Sequence, residues 1–156
     1  MIALVLFMRI FIAAQERREI NNKLLNCEMD LLYQAVVFDA ALKQTKSGGV
    51  LIVNARLGDG ENSRELTRRR LYNVRKFFSE GSSKLASEKV VVAEGERVKG
   101  YGRLEYYLGG ELYEQILFFK NGYICHSCCG PDEKYYPGKE IYERQQKQKQ
   151  KRKRRA

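Results

Sequence analysis

The sequence predicts an α+β fold, with helices packed on one mixed sheet of about four to five strands. Three observations predict it. Residues 62–78, NSRELTRRRLYNVRKFF, carry apolar side chains at helical spacing. Short apolar or alternating runs recur at 50–55, 90–94, 103–108 and 112–119. Two-residue turn signals, Gly109-Gly110 and Asn121-Gly122, join the last strands as immediate neighbours. Tight turns of that kind force antiparallel pairing, which excludes a doubly wound parallel sheet.

A chain of 156 residues suits one domain with tails. The net charge of +10 suggests a polyanion partner until it is located. Residues 144–156, RQQKQKQKRKRRA, hold eight basic and no acidic side chains, which leaves the rest of the chain near +2. The tail is basic; the body is not.

Taken in order, residues 1–14, MIALVLFMRIFIAA, are nearly all apolar. They are too short and too interrupted by Arg9 for a membrane span. A secretory signal core, cleaved near Ile12 and Ala14, fits them better, and a buried N-terminal helix or strand is the alternative. Residues 15–26 are polar and read as a linker or frayed helix. From Cys27 to Thr45, apolar residues at 31, 32, 35, 36, 38, 41 and 42 predict a helix, stopped by Ser47-Gly48-Gly49. Val50–Ala55 is a continuous apolar run and predicts a buried strand. A Gly-rich loop, 56–60, delivers the chain to the helix at 62–78, with Asn62 or Ser63 as cap and Glu65 in its first turn.

Val90–Glu94 is the next strand. Gly95–Gly102 reads as a solvated hairpin connection; it does not run from a strand into a helix, so its Arg97 and Lys99 make no phosphate-binding fingerprint. Arg103–Leu108 alternates cleanly, with Leu104, Tyr106 and Leu108 on one face and Arg103, Glu105 and Tyr107 on the other. Leu112–Phe119 is its hairpin partner, and residues 123–128 are a further strand candidate. Residues 131–143 fit no element, and the 144–156 tail is predicted disordered because nothing in it can form a core.

Arg70 is the chemical oddity. Leu66, Leu71, Val74, Phe77 and Phe78 fall within about 140° of helical arc, and Arg70 lies inside that arc. The other cations of the helix lie at its edges or beyond. A guanidinium among apolar side chains needs an acid or an anionic ligand, because an unpaired buried charge is costly. A core-edge acid such as Glu94 or Glu105 is the internal partner expected.

The stretch Leu66-Thr67-Arg68-Arg69-Arg70-Leu71-Tyr72-Asn73-Val74 resembles the helix motif Leu-Ser-x-x-Arg-Ala-x-x-Val of the OmpA-like C-terminal domain family. Val90–Glu96 resembles that family's strand before a Gly-x-Gly loop, and Arg103-Leu104-Glu105-Tyr106 its closing strand. The resemblance covers about residues 28–108. It implies a two-layer sandwich for residues 27–130 and a location in the periplasm or cell envelope. It also implies that Arg70 holds a peptidoglycan carboxylate, with Asp59, Thr67 and Arg56 as candidate ligand-binding neighbours. The family's Gly-His-Thr-Asp loop is replaced here by Asn54-Ala55-Arg56-Leu57, and no clear first strand precedes the first helix.

Cys125-His126-Ser127-Cys128-Cys129 lacks the second ligand pair of a structural zinc site, and no metal or other cofactor is expected. In an exported protein the four cysteines allow two disulfides in three connectivities; the preferred one ties Cys27 to Cys128 or Cys129, with Cys125 a further disulfide candidate, and closing so long a loop contributes ~2–5 kcal/mol. No Ser-His-Asp set or carboxylate pair suggests an enzyme. Two function classes follow. One is a non-enzymatic envelope-associated binding or structural module, its partner peptidoglycan or another envelope component. The other is a basic-tailed protein that binds an anionic polymer, a membrane surface or nucleic acid, cytoplasmic if residues 1–14 are not a signal.

Overall fold

The computed structural model describes residues 19–79 and 84–124. The apolar residues 1–14 expected to be a signal, residues 125–129 of the cysteine cluster and the basic residues 144–156 lie outside the described residues. Two helices pack on one face of a four-stranded sheet, so the predicted α+β two-layer architecture is what the chain adopts.

Helix α1 spans Cys27–Lys46. Asn26 caps it by accepting from the Met29 N–H at 2.9 Å, and Gly48, at φ +92°, ends it in the left-handed conformation. Strand β1 is Leu51–Arg56, α2 is Arg64–Ser79, β2 is Val90–Glu94, β3 is Gly102–Leu108 and β4 is Glu111–Phe118. The sheet order is β2-β1-β3-β4. β1 runs parallel to β2 and antiparallel to β3, and β3 pairs antiparallel with β4. Gly109 and Gly110, at φ +61° and +87°, make the β3–β4 turn that the sequence predicts.

Three expectations change. The 95–102 segment is not a hairpin, because β1 separates β2 from β3; it crosses the end of β1 instead. The described part of the expected 15–26 linker is docked: Leu24 bridges Leu117 in parallel, and Asn21 accepts from Gln115 Nε2 at 2.7 Å, along the outer edge of β4. The inward face of α1 also differs from its apolar spacing. Asp30, Gln34, Val37 and Ala41 are the buried positions, while Leu32 is 54% exposed.

The core lies between the layers. Leu51, Val53 and Ala55 from β1 meet Leu104 and Tyr106 from β3, Ile116 and Phe118 from β4, and Leu71, Val74 and Phe78 from α2. Phe78 is its hub, with ring centroids 5.2–6.2 Å from Phe77, Tyr106 and Phe38. After β4 the chain turns at Asn121 and passes across α2, where Asn73 Nδ2 donates to the Ile124 carbonyl at 2.7 Å. No helix among the described residues is long and apolar enough to cross a membrane.

Candidate functional site

Four segments meet at Arg70: the β1–α2 loop, α2 itself, the start of β3 and the turn after β4. The amphipathic pattern of α2 forces Arg70 inward, and it is 0% exposed. Its partner is Glu61, not Glu94 or Glu105 as the sequence suggests. Nη2 donates to Glu61 Oε1 at 2.6 Å and Nη1 to Oε2 at 3.0 Å, the two-pronged geometry of a guanidinium on a carboxylate. The remaining donors are met by backbone. Nε and Nη2 donate to the Gly122 carbonyl at 2.9 and 2.7 Å, and Nη1 to the Arg56 carbonyl at 3.3 Å. The guanidinium carbon lies 4.5 Å from the Phe118 ring centroid.

Glu61 is equally enclosed. Oε2 also accepts from the Gly58 N–H, and Oε1 from the Asn121 N–H, each at 2.9 Å. Burial alone would push its carboxyl up; the bonds from Arg70, Gly58 and Asn121 outweigh that and hold it below its ordinary value. Arg97, from the 95–102 crossing, donates to the carbonyls of Gly58 and Glu61 and clamps the loop from outside. Gly102 permits the close approach: a Cβ there would lie 2.1 Å from Glu61 Oε2 and 2.6 Å from Arg70 Nη1.

The acids expected beside Arg70 are engaged elsewhere. Glu94 accepts from Arg64 Nε at 2.8 Å, and Glu105 lies on the opposite face of the sheet. The predicted ligand set is likewise divided. Thr67 is buried on the same helix. Asp59 is exposed and bonds the loop opposite, accepting from the Gly100 N–H at 2.7 Å and donating its own N–H to the Gly100 carbonyl at 2.8 Å. Arg56 contributes its carbonyl to Arg70 and sends its side chain to the far face. A cavity of about 230 Å³ nearby is lined by Glu61, Asp59, Tyr101, Gly102, Phe118 and Lys120, and Arg70 does not line it. A ligand entering there meets a carboxylate and a lysine, with the guanidinium sealed behind Glu61.

Chemically the junction is a guanidinium whose carboxylate-binding fork is filled by a carboxylate of its own chain. The sequence hides Glu61 because it falls in a loop, where no periodicity predicts orientation. The one available signal is that Glu61 and Asp59 are the acids between β1 and α2. Cys27 is a free, half-buried thiol; its expected partners Cys125, Cys128 and Cys129 lie outside the described residues. Among the described residues no group of three or more His, Cys, Asp or Glu side chains is placed to hold a metal ion.

No protein-family model, no curated protein and no solved structure matches this chain.

Proposed function

We propose that the protein is a non-enzymatic binding or structural module of the cell envelope, in which the arginine receptor of an OmpA-like domain is closed by an internal carboxylate. The observation that carries this reading is the two-pronged Glu61–Arg70 pair, at most 1% exposed. A receptor whose guanidinium is fully hydrogen-bonded inside the protein ties loops together instead of capturing a peptidoglycan stem through Arg70. The two-layer architecture and the motif at Leu66–Val74 support the family reading, and the apolar residues 1–14 support export to the periplasm.

Co-sedimentation with purified peptidoglycan tests it. The wild type is expected to stay in solution, or to pellet to the same extent as Arg70→Lys. Retention that depends on Arg70, in a variant shown to be folded, would restore the ligand role and overturn the closed-receptor reading.

The second reading, a polyanion-binding protein, rests on the eight cations and absent acids of residues 144–156. It predicts salt-sensitive binding to nucleic acid or anionic polymer that vanishes when 144–156 are deleted.

A further inference from the structure

The face of the sheet opposite the helices carries a second charged cluster, built from β1 and β3. Arg56 and Arg103 are directly paired across the antiparallel ladder. Like charges in that relation repel and need a counter-charge. Glu105 supplies one. Its Oε2 accepts from Arg56 Nε and its Oε1 from Arg103 Nε, each at 2.8 Å. Tyr107 donates its hydroxyl to Oε2 at 2.9 Å, so the carboxylate is anchored from several sides at only 4% exposure. Burial alone would push the Glu105 carboxyl up; the bonds from Arg56, Tyr107 and Arg103 outweigh it and keep the group ionised.

Among the described residues two guanidinium charges therefore face one carboxylate, leaving a local surplus of one positive charge. Each arginine binds Glu105 through Nε, so the Nη nitrogens lie outside those two hydrogen bonds, and the Arg56 guanidinium also interacts with the Tyr107 hydroxyl. Both side chains keep access to solvent, at 27% and 28%. On the β4 side the cluster is walled by Leu117, the ladder partner of Arg103 and 8% exposed. Two forked donors, pre-oriented by a buried acid and short of one negative charge, are complementary to an oxyanion, which accepts paired N–H bonds in the guanidinium plane.

We propose that Arg56 and Arg103 form a receptor for one oxyanion, a carboxylate or a phosphate, on the face of the sheet opposite the helices, with Glu105 as the residue that positions both guanidinium groups. This site does not depend on the closed-receptor reading, since it lies on the other side of the sheet from Arg70.

The test is a titration of the full chain, labelled with ¹⁵N-arginine, with sodium phosphate, sodium acetate and sodium chloride at matched ionic strength. The Nε–H resonances of Arg56 and Arg103 report locally, so binding at the basic tail does not register in them. Saturable shifts of both resonances with phosphate or acetate, and none with chloride, are expected. Saturation by phosphate alone marks a phosphoryl ligand, and by acetate alone a carboxylate ligand. Arg103→Lys keeps the charge and loses the fork; it should weaken binding at least tenfold, read at the Arg56 resonance. Shifts that stay linear and match those of chloride would overturn the proposal, as would unchanged affinity in Arg103→Lys. Glu105→Gln tests positioning, and retention of full affinity there would remove Glu105 from the site.

Discussion

Glu61 and Arg70, nine residues apart in the chain, meet in a two-pronged ion pair at 2.6 and 3.0 Å inside the protein. Removing either partner strands the other charge without water. Arg70→Ala and Glu61→Ala should each lower the unfolding free energy by ~3–5 kcal/mol in urea denaturation. Replacing both, as Glu61→Leu with Arg70→Met, should cost clearly less than the two single losses combined, because no charge is left behind.

The same pair sets an acid-side dependence. The Glu61 carboxyl is held below its ordinary value of 4.5, so its contribution is present above that value and is lost as pH falls through the depressed one. Stability measured from pH 7 down to pH 2 should therefore decline less steeply in Glu61→Gln than in the wild type. Parallel curves would show that the pair does not govern acid sensitivity.

Gly102 lies against both members of the pair. Gly102→Ala places a methyl 2.1 Å from Glu61 Oε2, where the side chain is hydrogen-bonded on both oxygens and cannot swing away. A destabilisation of about 1–3 kcal/mol is expected from such overpacking. Gly110→Ala, where no atom lies within 4 Å of the added methyl, separates contact from conformation. It meets only the strain of φ +87°, and its melting temperature should fall less.

Asp30 titrates in the opposite sense. On the inner face of α1 it is 7% exposed, and burial pushes its carboxyl from 3.8 up to about 7. The folded state thus favours the protonated acid: stability is full below the unfolded value and is lost as pH rises from about 4 to 7. Asp30→Asn should be more stable than the wild type at pH 8, by roughly 2–4 kcal/mol, and close to it at pH 3. Equal stability at pH 8 would mean that the carboxylate finds solvent there.

The N-terminal segment covers an edge. Asn21 and Leu24 run beside β4 and occupy backbone that would otherwise be open to another strand. A chain beginning at Asn26 should self-associate, visible as a concentration-dependent mass in light scattering, whereas the full chain should not through this edge.

What the sequence determined by itself is the local and the periodic. Alternation over Arg103–Leu108 places Tyr106 inward and Arg103, Glu105 and Tyr107 outward, because a strand leaves its side chains two faces to choose from. Helical spacing likewise places Arg70 on the buried side of α2. Tertiary structure alone decided the partners. Arg70 pairs with Glu61 because the β1–α2 loop folds back over the start of β3, a path set by Gly58, Gly102 and the Arg97 clamp. The burial of Asp30 and Gln34 has the same origin. α1 meets the sheet near polar groups of β3 and β4, and its angle of docking, not its apolar spacing, selects which side chains lose water. Periodicity specifies a face; a charge finds its partner only when distant segments are brought together.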